Sequence, residues 1–165
     1  MRYFIHLGFN GSSFSGWQRQ NNTLNTIQEV VEKTLQQIFK KRVSTYGCGR
    51  TDAGVHALSQ VFDFETQIER DHKNWVDGIN SNLPDSILVK AVTNVADDFH
   101  SRFSALDRSY TYVIYNSKTK PLFFDKMVHW DDNLIEFDVI KKQADMFIGS
   151  HDFTSFRSSR CRFNN

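Results

Sequence analysis

The sequence predicts an α+β fold, because segments with the two-residue alternation of strands are separated by segments with the spacing of helices. Their order is β-α-β-β-α-β. This is the order of a ferredoxin-like unit, in which both helices cover one face of an antiparallel sheet. One further strand pattern and one further helix pattern follow. We therefore predict a complete ferredoxin-like unit in residues 1–97 and the start of a second, incomplete ferredoxin-like unit in residues 98–165.

The first strand and the first helix have recognisable ends. Residues 3–9 alternate and are rich in aromatic and β-branched side chains, and the loop residues 10–13 end this strand. Thr26 is a candidate N-cap, and Glu29 three positions later completes a capping box. The helix then continues to the basic residues 40–42. Its apolar stripe consists of Ile27, Val30, Val31, Leu35, Ile38 and Phe39.

The other elements of the first unit follow from the same kinds of pattern. Residues 43–49 and 60–64 are two short strand patterns on either side of a glycine-rich stretch. A second helix is indicated by Trp75, Ile79 and Leu83, which recur every four positions. Pro84 ends this helix, and the run 87–95 supplies the last strand of the unit.

The second unit is predicted to start near Phe99. Alternation predicts a strand over residues 110–115, and helical spacing predicts a helix over residues 135–148. A strand and a helix are half of a ferredoxin-like unit, and no closing strands follow them in the sequence. A sheet edge left open in this way has to be covered by something.

Composition narrows the class of protein. With 15 Phe among 165 residues and 39% hydrophobic residues, the chain can bury a core. The net charge of +1 creates no overall electrostatic field that would attract a polyanion, so nucleic-acid binding would need a local basic patch.

Cys48 and Cys161 are far apart, which fits reduced thiols better than a disulfide or a zinc site. No signal-like N-terminus and no apolar run of about 20 residues is present, so we expect a cytoplasmic protein that binds no membrane.

The stretch 47–57 is the strongest candidate for a functional site. It reads Gly-Cys-Gly-Arg-Thr-Asp-Ala-Gly-Val-His-Ala, so Arg50 and Asp52 stand among residues too small to hide them. We expect Asp52 to lie on an accessible turn, although an Asx turn would also explain this residue. In the dinucleotide-binding fingerprint Gly-x-Gly-x-x-Gly, the third glycine would stand where this chain has Asp52. A P-loop would need a Gly-Lys-Ser/Thr sequence, and none follows. The stretch is therefore neither of these two nucleotide-binding loops.

At these residues the sequence resembles the tRNA pseudouridine synthase A family, whose Gly-Arg-Thr-Asp-Ala-Gly-Val-His-Ala signature is matched without gap or substitution. The resemblance implies that Asp52 is the catalytic nucleophile. It also implies that the enzyme breaks the N-glycosidic bond of a uridine, lets the uracil rotate and joins its C5 to the ribose. Neither a cofactor nor a metal is implied.

Two further segments are similar to this family. Residues 9–20 resemble a loop after the first strand, with Asn10 where the family usually has aspartate. Taken alone, this loop could contact RNA or could simply be anchored by a buried Trp17. Residues 99–112 resemble a second motif, in which Tyr110 would stack on the target base; the alternative is a strand tyrosine that faces the core.

The resemblance also suggests roles for three arginines. Arg50 would fill the space that the flipped base leaves, while Arg102 and Arg108 would contact phosphates. His56 and His100 are expected to be structural. In the family, a later motif supplies an arginine that pairs with the catalytic aspartate and keeps it ionised, and this sequence does not reach that motif. Its place could be taken by the basic residues Arg157 and Arg160 or by a partner chain.

A last similar segment, residues 151–157, is given no chemical role. His151 and Asp152 are expected to cap the local backbone, because no third metal ligand has suitable spacing.

The resemblance implies an isomerase that converts uridine to pseudouridine in the tRNA anticodon stem-loop, at positions 38–40, and that acts as a homodimer with tRNA across both subunits. Because the sequence does not reach the later motif of the family, another hypothesis stays open: the chain is a truncated, non-catalytic RNA-binding ferredoxin-like module. A third is a small-molecule-binding domain that uses Asp52 as a hydrogen-bond acceptor. The change Asp52→Asn would separate the three, because only the isomerase needs a carboxylate for chemistry.

Overall fold

The computed structural model describes residues 1–156 and confirms the predicted order of the first six elements. They are β1 (Arg2–Phe9), α1 (Ile27–Phe39), β2 (Tyr46–Gly47), β3 (Ala57–Glu65), α2 (His72–Asn80) and β4 (Ile87–Val95). A short 3-10 turn, Gly11–Ser13, follows β1.

The four strands form one antiparallel sheet with the order β2-β3-β1-β4. β1 lies in the middle, where Ile5 is opposite Phe62 of β3 and Val92 of β4. This order and direction are those of a ferredoxin-like unit, so the predicted α+β fold is confirmed. The register shifts once on each side of β1 near Leu7, which bends the sheet at the end that leads to the glycine-rich stretch.

Both helices pack on the same face of the sheet, around an aromatic core. Trp75 of α2 is fully buried and lies 5.5 Å from the ring of Tyr3, 5.4 Å from Phe39 and 6.1 Å from Phe64. Rings at these separations and tilts add favourable contacts beyond the burial of their area. Because α1 supplies Phe39 and α2 supplies Trp75, this cluster fixes both helices against β1 and β3.

The helix ends follow local chemistry. Thr26 caps α1 by accepting a hydrogen bond from the Glu29 backbone N–H at 3.3 Å, as predicted. α2 is capped by Asp71, whose carboxylate accepts a hydrogen bond from the Lys73 backbone N–H at 2.9 Å. The spacing that placed Leu83 in α2 was wrong, because the helix ends at Asn80 and Leu83 lies in the turns that follow.

The strand predicted over residues 43–49 is also shorter than expected. Only Tyr46 and Gly47 pair regularly with β3, and the Cys48 backbone N–H adds one bond, 2.9 Å, to the Val61 carbonyl. The backbone of Thr45 is bound by side chains of α1 instead, namely Gln28 and Glu32. Side chains have therefore replaced a strand as hydrogen-bond partners at this edge of the sheet.

The segment predicted to start a second unit, described here as residues 98–156, is less regular than the sequence predicts. It contains β5 (Ile114–Asn116), β6 (His129–Asp131) and α3 (Phe137–Asp145), and β5 pairs with β6 in parallel. The predicted strand thus begins only at Ile114, and β6 was not predicted. No residue from 102 to 156 is buried, and the predicted helix, although present as α3, exposes its apolar residues. Within residues 102–156, the apolar residues of the predicted strand and helix therefore lack the burial that normally stabilises such elements.

Two further observations concern the described residues as a whole. Within residues 1–156, no helix has both the length and the apolar character that a membrane crossing requires. Cys48 is a free thiol, as its spacing predicted, and Cys161 lies outside the described residues.

Replacing Trp75 with alanine is expected to lower the free energy of unfolding by about 3–5 kcal/mol, since the large cavity would border three aromatic rings. Leu58→Ala is the control, because this side chain is 85% exposed and its loss should change stability by at most about 0.5 kcal/mol. Urea titration followed by circular dichroism measures both. Similar losses for the two variants would contradict the assignment of Trp75 to the centre of the core.

Candidate active site

Asp52 lies on an exposed turn between β2 and β3. The Val55 backbone N–H donates to the Asp52 carbonyl at 3.2 Å, and Gly54, the third residue of the turn, has a φ of 80°. A positive φ at that position is typical of a type II turn and favours glycine. Among residues 1–156, the Asp52 carboxylate takes part in no hydrogen bond or ion pair, so the Asx turn is not formed. This carboxylate is therefore available to a ligand.

The turn is held by the loop that follows β1, through a segment that we call the central segment, residues 14–17. The Gly54 backbone N–H donates to the Phe14 carbonyl at 3.2 Å, and the Trp17 N–H donates to the Thr51 carbonyl at 3.1 Å. These two bonds lie on either side of Asp52 in the sequence. The loop that resembles a family motif is thus bonded directly to the backbone that carries Asp52.

The other side of the central segment is bonded to the start of α1. The Ser15 N–H donates to the Asn25 carbonyl at 2.8 Å. The Ile27 and Gln28 N–H groups, which have no partner inside the helix, donate to the carbonyls of Gly16 and Trp17 at 3.1 and 3.0 Å. The central segment therefore connects the first turn of α1 to the Asp52 turn.

Close packing requires glycine at Gly16. Its φ is 93°, and a Cβ built there would lie 2.5 Å from the Thr51 carbonyl oxygen. Trp17 is 1% exposed and lies against Gly47, where a Cβ would come within 2.5 Å of the indole. The expectation that a buried Trp17 anchors this loop is confirmed, and the same contact brings the loop against the strand that precedes Asp52.

A buried polar network fixes the rest of this loop. The Gln28 side chain accepts hydrogen bonds from the Arg19 backbone N–H at 3.0 Å and from the Gln18 amide at 2.9 Å. It donates to the Thr45 carbonyl at 3.1 Å. Glu32 accepts from the Thr45 N–H and hydroxyl, each at 3.0 Å, and forms an ion pair with Arg19. A buried carboxylate is tolerated here because charged and polar donors surround it.

Arg108 lies beside the first residues of the glycine-rich stretch. Its guanidinium donates to the Cys48 carbonyl at 2.7 Å and to the Arg102 carbonyl at 3.4 Å, and it passes within 3.5 Å of the position a Cβ would take at Gly49. Arg108 thus links the strand that precedes Asp52 to the segment around Arg102. Its other N–H groups have no hydrogen-bond partner within residues 1–156.

The other predicted site residues are exposed. Arg50 lies on the same stretch as Asp52, and the Arg102 guanidinium lies 5.7 Å from the centre of the Phe103 ring. Tyr110 is 82% exposed and lies outside β5, so it does not face the core. Within the described residues, no hydrogen bond or ring contact joins Tyr110 to the Asp52 turn. Arg108 is thus hydrogen-bonded to the stretch that carries Arg50 and Asp52, whereas Tyr110 makes no such bond within residues 1–156.

His56, His100 and His151 each form a hydrogen bond with the backbone. His56 bonds through Nε2 to the Lys126 carbonyl at 2.7 Å, and His100 accepts a hydrogen bond from the Arg102 N–H at 3.1 Å. His151 bonds to the Ile148 carbonyl, while Asp152 caps the backbone N–H of Thr154 at 2.9 Å, as predicted. Hydrogen bonds from Thr154 lower the pKa of Asp152.

Among residues 1–156, no group of three side chains has the geometry of a metal site. The basic residues Arg157, Arg160 and Arg162 lie outside the described part of the chain.

Sequence analysis missed Asp63, which is fully buried in β3. Its carboxylate accepts a hydrogen bond from the Ser101 backbone N–H at 2.7 Å and faces the Arg2 Nε at 3.7 Å. Phe99 packs on Phe4 at 5.7 Å in the same area. These contacts hold residues 99–103 on the sheet face opposite the helices. The only sequence signal was an acidic residue in a strand that is otherwise mostly apolar.

The fold and the loop together define a class of protein, a ferredoxin-like domain that presents an exposed carboxylate and an exposed arginine on a connection between two antiparallel strands. A sequence model described as tRNA pseudouridine synthase matches residues 7–104. The chain belongs to this family.

Three curated relatives, each named tRNA pseudouridine synthase A, match almost the whole chain. The relative from Shigella boydii is 43% identical over 162 residues, which cover 97% of this chain and 60% of the relative. The relative from Shewanella frigidimarina is 40% identical, with 98% and 62% covered. The relative from Alcanivorax borkumensis is 37% identical, with 98% and 60% covered. The chain thus spans about three fifths of the length of these relatives.

Gly16→Ala is expected to destabilise the chain more than Gly54→Ala. Both glycines have positive φ, which costs a non-glycine residue about 1–2 kcal/mol. A methyl group at Gly16 would also overlap the Thr51 carbonyl, whereas one at Gly54 would meet nothing within 4 Å. We expect this overlap to lower the free energy of unfolding of Gly16→Ala by roughly a further 1–3 kcal/mol, measured by urea titration. Equal losses would show that the central segment is not packed against the Asp52 turn.

His6 should make stability depend on pH. It lies in β1, bonded through Nε2 to the Ser59 hydroxyl at 2.8 Å, and burial, with a smaller effect of Lys90, lowers its pKa below the usual 6.5. The unfolded chain therefore binds the His6 proton more readily, so stability is complete above about pH 6.5 and falls as the pH drops toward the pKa of the folded state. His6→Gln should flatten this fall in urea titrations near pH 7.5 and near pH 5.5. An unchanged pH slope would contradict the prediction.

Proposed function

We propose that this chain carries the catalytic loop of a tRNA pseudouridine synthase, an isomerase that converts uridine to pseudouridine in the tRNA anticodon stem-loop. The observation that carries the proposal is the Asp52 carboxylate, which is exposed, has no partner within residues 1–156 and stands on a turn held at both ends. The relatives are named for this activity on tRNA. By resemblance, the substrate positions are 38–40.

In the proposed reaction, Asp52 acts on the ribose of the target nucleotide. The N-glycosidic bond breaks, the uracil rotates, and C5 takes the place of N1 on the ribose. The hydrogen on C5 is lost as a proton, and N1, now free of the ribose, takes up a proton, so that the product is an isomer of the substrate. A carboxylate that acts on a sugar has to be ionised and close to the anomeric carbon. The exposed turn provides access, and the two bonds to the central segment provide the fixed position.

The target uridine has to leave the base stack before Asp52 can reach its ribose, which costs a few kcal/mol. Arg50, exposed two residues before Asp52, is proposed to occupy the space that the base leaves. Tyr110, which is exposed, is proposed to stack on the flipped base once RNA or a further part of the protein brings it to the turn. Arg102 and Arg108 would contact phosphates.

We further propose a cytoplasmic homodimer that binds one tRNA across both subunits. The net charge of +1 favours this arrangement, because two copies together offer more basic groups to the RNA than one. No cofactor or metal enters the proposed chemistry.

The second candidate function is an RNA-binding ferredoxin-like module without catalysis. It is favoured by one observation: no arginine among residues 1–156 pairs with Asp52. Such a partner would help to keep the carboxylate ionised when RNA excludes water.

Release of tritium from tRNA labelled at uridine C5 tests the proposal, since this hydrogen is lost only when C5 becomes the point of attachment. We expect release by the unaltered chain, and a fall to background for Asp52→Asn with tRNA affinity nearly unchanged. Asp85→Asn, a change at another exposed aspartate, should release tritium like the unaltered chain.

Release that survives Asp52→Asn would refute the role of Asp52. If the unaltered chain binds tRNA but releases no tritium, the chain is a binding module by itself. A filter-binding measurement on the same samples separates this result from a failure to bind.

A further inference from the structure

A shallow cleft of about 320 Å³ lies at the edge of β2 where no further strand pairs within residues 1–156, next to the stretch that carries Asp52. It is lined by Gln18, Gln28, Thr45, Tyr46, Gly47, His100, Arg102 and Phe103. Neither Asp52 nor Arg50 lines it, so it is a place distinct from the proposed reaction site. Arg108 bridges the carbonyls of Cys48 and Arg102, which keeps the cleft and the Asp52 stretch in a fixed relation.

One wall of the cleft is aromatic and open to solvent. Tyr46 is 47% exposed and Phe103 is 77% exposed. The His100 ring lies between them, with its centre 5.5 Å from that of Tyr46 and 4.5 Å from that of Phe103. The Arg102 guanidinium lies over Phe103. Exposed rings beside a guanidinium are a common platform for single-stranded nucleic acid, because every base has a face that can stack.

The cleft is also lined by an amide whose orientation is fixed. Gln28 accepts from the Arg19 backbone N–H and donates to the Thr45 carbonyl, so its oxygen and nitrogen cannot be exchanged. Because the Gln28 oxygen also faces the Gln18 amide, Gln18 has to present its nitrogen there. Its own oxygen and its second N–H are used by no residue from 1 to 156, and Gln18 is one of the residues that line the cleft. This donor and acceptor pair complements the edge of a nucleobase.

We propose that this cleft binds one unpaired base of the RNA, other than the uridine that is isomerised. The base stacks on Tyr46 and Phe103, its edge bonds to the Gln18 amide, and Arg102 takes a neighbouring phosphate. This inference rests on the proposed function, since it needs RNA as the substrate. It adds a second point of attachment, which sets how the RNA loop lies across the Asp52 turn.

The test combines RNA stem-loops that each lack one base in the loop with substitutions in the cleft. Binding is measured by fluorescence anisotropy at constant salt. For the unaltered chain, we expect one abasic position, not the isomerised uridine, to weaken binding about tenfold. Tyr46→Ala should weaken binding of the intact RNA by a similar factor, and the same abasic position should then have no further effect. Tyr46→Phe keeps the ring and should behave like the unaltered chain.

Two more variants, which should keep the fold, distinguish the loss of a base contact from misfolding of Tyr46→Ala. Phe103→Leu changes a side chain that is 77% exposed, so the fold should be kept while the stacking surface is reduced. Gln18→Ala removes the free amide but leaves the Gln28 bonds to Arg19 and Thr45 in place. Both should reduce the abasic penalty at the same position as Tyr46→Ala.

Abasic penalties that are the same in the unaltered chain, in Tyr46→Ala and in Phe103→Leu would overturn this inference. If tritium is still released from tRNA in that case, the proposed function stands and only the second base site is wrong. If the chain binds no RNA at all, the proposed function and this inference both fail.

Discussion

The central segment, residues 14–17, is the part on which the rest of the site depends. Five backbone hydrogen bonds join it to the first turn of α1 on one side and to the Asp52 turn on the other. α1 is itself fixed by the aromatic core through Phe39. The position of an exposed carboxylate is thus determined by a buried core more than ten residues away in the sequence, through backbone contacts that tolerate no side chain at Gly16. A rigid scaffold that holds a reactive loop is the usual way to combine exposure with precision.

Electrostatic interactions reinforce this backbone arrangement. Glu32 and Gln28 lie on one face of α1 and bond both to the loop around Arg19 and to the backbone of Thr45. Burial of a carboxylate would cost several kcal/mol without partners, and the hydrogen bonds and ion pair offset that cost. The same groups bond to the Thr45 backbone, where a neighbouring strand could otherwise pair. No strand of residues 1–156 lies beside β2 there, and this edge of the sheet forms part of a cleft. One network therefore stabilises the loop and shapes the surface next to the site.

The sequence was sufficient where a pattern is local. Two elements and an exposed turn were predicted from the alternation of β1, the apolar stripe and N-cap of α1, and the small residues around Asp52. Each of these signals depends only on residues that are neighbours in the chain. The short β2 was not predictable, since it depends on which side chains of α1 reach the Thr45 backbone. The burial of Asp63 and the exposure of Tyr110 depend on contacts between distant residues, which periodicity does not encode.

The absence of any buried residue from 102 to 156 has a consequence for motion. Within residues 1–156, every residue of the apolar core lies between Tyr3 and Val92. Local opening costs little free energy where no apolar area is lost, so backbone amides of α3 should exchange with deuterated solvent by fraying, whereas those of β1 should exchange only when the whole sheet unfolds. The chain therefore combines a slowly exchanging platform with a region whose backbone hydrogen bonds open at little cost in free energy.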